Sequence, residues 1–272
     1  MNPPLKWAGG KRWLVPTIKH LWKPHSELRL VEPFVGGMAV ALGLNPDNAL
    51  LNDANIHLIN FYRQIKKGLK IRHAFRNEPD YFYSARKKFN KLTIQNKSET
   101  KEAAALFYYL LKTGFNGLCR FNNSGGFNVP IGKYNTINYL KDFSAYQELF
   151  ANWELTNLDF QSIEVSNGDF VYADPPYDVE FTKYSVKDFV WDDQIRLAEW
   201  LAKHSCPVVM SNQATPRIME LYGDLGFQTL TLPAPRRISC NGDRRKVMEV
   251  VAVLNFEKRH FKKVKDGISK NA

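Results

Sequence analysis

Leu28-Arg-Leu-Val-Glu-Pro-Phe-Val-Gly-Gly37 is the stretch on which the reading of this chain turns. Leu28 to Phe34 is mostly apolar and predicts a strand. Val35-Gly36-Gly37 is a glycine turn, where a backbone can approach a ligand closely. Met38-Ala-Val-Ala-Leu42 suits a helix, and a second strand, Ala49-Leu-Leu51, ends at Asn52-Asp53. Strand, glycine turn, helix, strand and acid make the opening of a nucleotide-binding α/β unit. The turn is not the dinucleotide fingerprint Gly-x-Gly-x-x-Gly, because Met38 and Ala41 stand where glycines would be needed. It also lacks the Lys-Ser/Thr of a phosphate loop. Close approach without phosphate-binding groups fits a nucleoside that carries no phosphate. Asp53 lies 17 residues after Gly36, a spacing that suits ribose hydroxyls. Asn52-Asp53-Ala-Asn55 suits a helix cap before Ile56 equally well.

Further along, Asp169-Phe-Val-Tyr-Ala173 reads as a buried parallel strand running into Asp174-Pro-Pro-Tyr177. An acid thus stands at the carboxyl end of a strand, where open α/β sheets place their ligands. Each proline fixes its own φ and lacks an N–H, and Pro176 presses Pro175 toward extended backbone. The product is a stiff turn presenting a carboxylate, carbonyl acceptors and an aromatic face. It suits a flat heterocycle with an exocyclic amine: Asp174 and the Pro175 carbonyl accept the amine hydrogens, and Tyr177 stacks on the ring. An ordinary Asp-Pro turn is the plain alternative.

The chain has 272 residues, 44% of them hydrophobic, enough for one large domain or a domain with an insertion. Lys and Arg number 38 against 27 Asp and Glu, and the formal charge of +11 favours a polyanionic partner. Aromatic residues beside basic ones suit nucleobase stacking. Cys119, Cys206 and Cys240 are far apart and the six histidines form no ligand cluster. They read as reduced thiols with no disulfide framework and no metal site. Neither a secretory leader nor an apolar run of the ~20 residues needed to span a bilayer is visible, so no membrane partner is expected and the cytoplasm is the expected location.

From Ile56 to Leu111 the pattern turns helical, with Ile56, Leu58, Ile59, Tyr62 and Ile65 on one face. Tyr81, Tyr83, Phe89 and Leu92 suggest a second helix and Lys101 to Lys112 a third. Asn123-Ser-Gly-Gly126 reads as a hairpin loop. The α/β texture resumes near Trp153, with strands expected at Asp169–Ala173, Pro207–Ser211, Gln228–Leu232 and Val247–Phe256, and a helix over Asp192–Lys203. The Lys-rich tail from Glu257 to Ala272 reads as mobile. The expected division is therefore a discontinuous catalytic domain (1–55 and 153–256), an inserted target-recognition domain (56–152) and a basic tail (257–272).

Lys6-Trp-Ala-Gly-Gly-Lys11 adds two glycines, a π face and a cation. S-adenosylmethionine satisfies the set: it is a nucleoside without phosphates, with an amino-acid end to pair and a sulfonium suited to aromatic and acidic neighbours.

Six segments then occur in order: Leu5-Lys-Trp-Ala-Gly-Gly-Lys11, Val31-Glu-Pro-Phe-Val-Gly36, Asn52-Asp53, Gly114-Phe-Asn-Gly-Leu-Cys-Arg120, Phe127-Asn-Val-Pro130 and Asp174-Pro-Pro-Tyr177. Together, from Leu5 to about Phe256, they resemble the alpha group of the Dam family of DNA adenine methyltransferases, which modify the exocyclic amine of adenine in GATC. The resemblance implies an α/β fold: a Rossmann-like S-adenosylmethionine-dependent methyltransferase sheet with an inserted, mainly helical DNA-recognition domain carrying a β-hairpin. It implies Trp7, Ala8, Gly9, Lys11, Glu32, Pro33, Phe34, Gly36, Asp53 and Asp174 at the cofactor, and Asp174, Pro175, Pro176 and Tyr177 at the extruded adenine. It implies Lys6 and Arg120 reading guanines and Phe115 wedged into the base stack. Asn116, Leu118, Asn122, Pro130, Lys133 and Tyr134 would belong to the DNA-reading hairpin, and Arg236 and Arg237 would touch the DNA backbone. The expected partner is double-stranded DNA, with no obligate protein partner, and the expected location becomes nucleoid-associated. One departure concerns the family loop Phe-x-Gly-x-Gly, which here reads Phe34-Val-Gly36-Gly37-Met38. Two other readings stay open: the same chemistry at another adenine-containing site such as GATATC, or a DNA-binding regulator with a vestigial pocket. Intact Asp174, Tyr177, Asp53 and Lys11 count against the second.

Overall fold

The computed structural model describes residues 1–72, 74–178, 189–234 and 247–269. Strands β1 (Arg29–Glu32), β2 (Ala49–Asn52), β3 (Trp153–Thr156), β4 (Asp169–Ala173), β5 (Val208–Gln213), β6 (Gln228–Ala234) and β7 (Val247–Leu254) form one sheet in the order β3-β2-β1-β4-β5-β7-β6. The first five run parallel, and β7 is antiparallel to both β5 and β6. The order reverses between β1 and β4, so a crevice opens at their carboxyl ends. Glu32 ends β1 and Asp174 follows β4 directly.

Successive strand residues face opposite sides, and both sides are buried. Leu30, Phe170, Tyr172, Val209, Val251 and Val253 join one core. Val31, Val171, Ala173, Val208, Met210, Val250 and Ala252 join the other. The second core is covered by α7 (Trp191–Ala202) and α8 (Pro216–Asp224), with Leu197, Leu201, Ile218 and Tyr222 fully buried. The first is covered by α1 (Val15–Trp22), α2 (Ala39–Leu44), α3 (Ile56–Lys66), α4 (Pro79–Ile94), α5 (Lys101–Thr113), α6 (Ser144–Leu149) and α9 (Lys258–Ser269). The helical stretch is thus continuous with the core on one face of the sheet.

Local chemistry sets the helix starts. The Asn55 side chain accepts from His57 N and Leu58 N to open α3, and Thr100 accepts from Ala103 N to open α5. Thr215 does the same for α8 with Pro216 in the first turn. At the sheet edge, Arg63 and Lys66 of α3 donate to the Leu155 and Trp153 carbonyls of β3. These bonds blunt an otherwise open strand.

The expected strands are present, shifted by a residue or two, and β3 is an addition. The expected second helix is α4, which buries Phe82, Ala85, Phe89 and Leu92 and leaves Tyr81 and Tyr83 40% and 42% exposed. One expectation is corrected. The tail is not loose through residue 269: α9 docks on α1, with Phe261 and Val264 buried and His260 Nε2 3.2 Å from the His20 carbonyl. Apolar residues three apart in an otherwise cationic segment give that helix a stripe to bury. Among the described residues no helix is long and apolar enough to cross a membrane.

Candidate active site

The glycine turn after β1 is held from both sides. Gly36 N donates to Asp53 Oδ2 (3.0 Å) and the Gly36 carbonyl accepts from Tyr62 OH (2.7 Å). The other Asp53 oxygen accepts from Asn55 N (2.9 Å). Asn55, rather than Asp53, caps α3, so the capping alternative falls to the neighbour. Asp53 ties the glycine turn to the end of β2, and its remaining lone pairs stay open to a ligand. Gly36 has φ +45°, and a side chain on Gly37 would put its Cβ 2.8 Å from Trp7 Cβ. The close approach that these glycines permit is therefore used by Trp7. Glu32 and Pro33 are buried beneath the turn, the Pro33 carbonyl accepts from Asn52 Nδ2, and Phe34 stacks obliquely on Phe160.

At the place of the family's second glycine, Met38 is fully buried with φ 62° and ψ 26°. A left-handed backbone is where glycine is ordinarily favoured. Met38 adopts that backbone and fills the space with a buried side chain.

Across the crevice, Asp174 Oδ2 lies 3.1 Å from Lys11 Nζ, and Oδ1 accepts from Ser211 Oγ at 2.9 Å. Lys11 Nζ also donates to the Gly9 carbonyl and lies 4.5 Å over the Tyr177 ring. Tyr177 OH donates to Glu249 Oε2 at 2.7 Å. No hydrogen bond among the described residues reaches the Pro175 carbonyl, whereas the Pro176 carbonyl accepts from Gln194 Nε2 (2.8 Å). The N-terminal segment joins all the parts. Lys6 packs against Gly117, Trp7 against Gly36 and Gly37, and Lys11 against Asp174 and Tyr177. Ala8 and Gly9 form its exposed bend.

Two carboxyl groups, Asp174 and Glu249, share that one lysine. Burial raises the Asp174 pKa, and the Lys11 charge and the Ser211 hydroxyl only partly offset it. Burial raises Glu249 too, again with Lys11 opposing. Glu32 is pushed well up by burial and then by the Asp174 charge, against a hydrogen bond from the Ala41 N–H, and its Oε1 has no hydrogen-bond partner among the described residues. Burial also raises Asp53. A cationic ligand would relieve this excess of buried negative charge.

The hairpin that begins at Gly114 leans on α4 and α5. Antiparallel bridges join Gly114 with Ile131 and Phe121 with Phe127, and Phe115 N donates to the Pro130 carbonyl. Asn116 (φ 54°) and Gly117 (φ 65°) turn the chain sharply, leaving Phe115 49% exposed. Arg120 Nε donates to Asn128 Oδ1 (2.7 Å) across the hairpin, and Asn122 Oδ1 closes the loop through Gly126 N and Ser124 N. Tyr134 OH donates to the Gly114 carbonyl. Pro130 and Lys133 are exposed, and Leu118 is half-buried. Arg86 and Asn90 of α4 bond the Val129 and Phe127 carbonyls. Arg236 and Arg237 lie outside the described residues.

Sequence reasoning missed Ser211, Asn212, Gln194, Glu249 and Tyr62. A signal existed for three of them: Ser211-Asn212 ends an apolar strand at the crevice, and Glu249 is the lone acid in Val247–Leu254.

Five parallel strands with an antiparallel β7 slotted between β5 and β6, and an acid and an aromatic at the switch point, define a methyltransferase of the Rossmann-like class. Residues 7–238 match the family described as D12 class N6 adenine-specific DNA methyltransferase. The chain belongs to that family and is an N6 adenine-specific DNA methyltransferase, with DNA as its substrate. It is 35% identical to a DNA N-6-adenine-methyltransferase of Escherichia phage P1 over 92% of this chain, which spans 35% of that longer protein. It is 35% identical to a DNA adenine methylase of Haemophilus influenzae, covering 94% of this chain and 95% of the relative. A type II methyltransferase of Lactococcus lactis subsp. cremoris is 33% identical, with 94% and 96% covered.

Proposed function

We propose that the chain transfers the methyl group of S-adenosylmethionine to the exocyclic amine of an adenine turned out of double-stranded DNA, in the site GATC. The observation that carries this reading is the convergence of Lys6, Trp7 and Lys11 on the hairpin, the glycine turn and the Asp174 turn, respectively. The cofactor's fit rests on the same place: a glycine turn lined by Trp7, and buried carboxylates in excess of cations. Trp7, Lys11, Phe34, Gly36, Asp53 and Asp174 would hold it, with Ala8, Gly9, Glu32 and Pro33 shaping the wall. When bound, it supplies an activated methyl group on a sulfonium that departs as a neutral thioether.

The chain's own residues then do the rest. The lone pair of the adenine amine is delocalised into the ring, which makes it a poor nucleophile. Asp174 and the Pro175 carbonyl accept its two hydrogens and draw the lone pair toward the methyl group, while Tyr177 stacks on the ring. Orientation of this kind can supply ~7–11 kcal/mol of a barrier. As the N–C bond forms, Asp174 stabilises the charge on nitrogen, and the surplus proton leaves to Asp174 or to water. Base extrusion costs a few kcal/mol, and Phe115 fills the gap. Lys6 and Arg120 read guanines, Leu118, Pro130 and Tyr134 shape the hairpin, and Asn116, Asn122, Lys133, Arg236 and Arg237 contact the DNA. Residues 1–55 and 153–256 form the catalytic unit, 56–152 the target-recognition insertion and 257–272 a basic tail, with α3 supporting both larger parts through Tyr62 and Arg63.

Tritiated methyl transfer to unmethylated plasmid, followed by single-molecule mapping of modified bases, tests the reading. Label confined to adenine in GATC is expected, and label at another site or base overturns it. Asp174→Asn is expected to lose turnover while keeping its fold and much of its DNA affinity.

A further inference from the structure

The turn that presents Asp174 has no regular secondary structure of its own, yet it must aim two acceptors at one amine. Its rigidity comes from the end of β5. Ser211 and Asn212 are consecutive, fully buried, and by strand alternation point to opposite faces of the sheet. Ser211 Oγ donates to Asp174 Oδ1 (2.9 Å). Its single proton is thereby used, so the Tyr172 hydroxyl 2.9 Å away is the donor to Ser211. Tyr172 lies on β4, two residues before Asp174, so the chain of bonds returns to the strand it serves.

On the other face, Asn212 Nδ2 donates to Gln194 Oε1 (3.0 Å), and Gln194 Nε2 donates to the Pro176 carbonyl (2.8 Å). Asn212 Nδ2 also bonds Tyr222 OH (3.0 Å), while Asn212 Oδ1 accepts from Gln213 N (2.8 Å) and, at 3.5 Å, from Asp178 N. Asp178 is paired with Arg217 and accepts from Thr215 Oγ1 (3.2 Å). Gln194 is 2% exposed. Both side-chain amides are thus oriented by partners at each end, which leaves them no second rotamer with the bonds satisfied. The two bonds bracket the Pro175 carbonyl, which accepts no hydrogen bond among the described residues.

We propose that Ser211 and the Asn212–Gln194 pair are positioning residues for methyl transfer: Ser211 aims the Asp174 carboxylate, and Asn212, through Gln194, aims the Pro175 carbonyl by pinning Pro176. This deepens the function proposed above and rests on Asp174 being the amine acceptor.

Four variants of the full chain test it by single-turnover methylation of a duplex carrying one target site. Ser211→Ala is expected to slow methyl transfer roughly tenfold or more, the scale of a lost hydrogen bond to a charged group. Its Kd for S-adenosylmethionine should stay close to the parent's, and its melting temperature should fall by only a few degrees, the effect of leaving the buried Tyr172 hydroxyl without its acceptor. Ser211→Thr keeps the hydroxyl and should restore most of the rate. Lys11, Tyr177, Glu32, Glu249 and Tyr172 also face Asp174 and remain in place, so the acid limb of the Ser211→Ala pH profile should move to higher pH. A donor that favours the carboxylate has been removed there, and a purely structural role would leave that limb where it is. Gln194→Met, close in volume, should slow the same step without changing the acid limb. Parent-like single-turnover rates for both Ser211→Ala and Gln194→Met, with Asp174→Asn inactive, would overturn the positioning role alone. An active Asp174→Asn would instead overturn the acceptor assignment beneath it. Should Ser211→Ala fail to fold, Gln194→Met and Ser211→Thr still decide: equal loss in Thr and Met variants without any change in the acid limb would count as mere destabilisation, against the proposal.

Discussion

Replacing Met38 separates two forces that act on the glycine turn in opposite directions. The residue is fully buried and holds a left-handed backbone at the start of α2. That backbone costs an L-residue about 1–2 kcal/mol. Met38→Gly removes the cost, but glycine loses about 0.5–1 kcal/mol of extra chain entropy on folding. It also deletes a core side chain, which for Met costs about 2–5 kcal/mol. Burial wins, so the glycine variant is expected to be less stable than the parent by about 0.5–5 kcal/mol. Met38→Ala loses nearly the same burial and keeps the strained backbone, so it should be the weaker of the two, by about 0.5–1 kcal/mol. Met38 is the residue that opens α2, where glycine is ordinarily preferred to alanine, and the left-handed backbone adds to that preference. Urea unfolding of the three proteins with unchanged m-values reads both differences. An alanine variant more stable than the glycine variant would mean that Met38 does not hold the left-handed conformation in solution. A glycine variant as stable as the parent would mean that the buried thioether packs against little.

Lys11→Met should move the acid limb of kcat/KM to higher pH. Lys11 opposes the burial that raises Asp174, so its loss lets the proton stay on the carboxylate at higher pH, and an unmoved limb would exclude Asp174 as the titrating acceptor. Arg29→Met should cost about 3 kcal/mol at neutral pH, because it strands an Asp169 that is 1% exposed and the replaced cation is itself a third exposed. Burial alone would raise the Asp169 pKa, but Arg29 and Ser166 outweigh it and hold it below the usual range. That stabilisation is present above the unfolded carboxylate range and is lost as pH falls through the folded value, so the variant's deficit in urea should shrink in acid; a deficit that grew would contradict the pairing. Phe115→Ala should melt within about 0.5 kcal/mol of the parent, as an exposed side chain does, yet give a smaller rise in 2-aminopurine fluorescence at the target base. Parent-like fluorescence would remove Phe115 from base extrusion.

The strands were legible because a buried parallel sheet writes itself as short apolar runs, and the glycine turn and Asp174-Pro-Pro-Tyr177 because rigid turns need particular residues. β3 was harder. Trp153-Glu-Leu-Thr156 is an edge strand, with Glu154 exposed and its carbonyls bonded by Arg63 and Lys66 from α3, nearly 90 residues away in sequence. Nothing local marks it. The pattern marked α4 but not its buried face, because tyrosine suits either side; Tyr81 and Tyr83 stand outside beneath Arg76 and Arg86. The tail was misread because its lysines dominate the composition, although Phe261 and Val264 suffice to dock it. Glu249, Ser211 and Gln194 reach the site from three different elements, and their meeting is a property of topology, which no single window of sequence contains.

That topology also couples the N-terminal segment to Asp174. Lys11 is bound at once by the Gly9 carbonyl, the Asp174 carboxylate and the Tyr177 ring face. A ligand that shifts the bend at Ala8 and Gly9 therefore acts on the charge that favours ionised Asp174. Since the ammonium covers one face of Tyr177, a base stacking on that ring must take the other. Glu249, holding the phenol from β7, fixes the tilt at which it can do so. The acceptor proposed above thus rests on one lysine shared by Asp174 and Glu249, and a cationic ligand entering beside them would help to keep both carboxylates ionised.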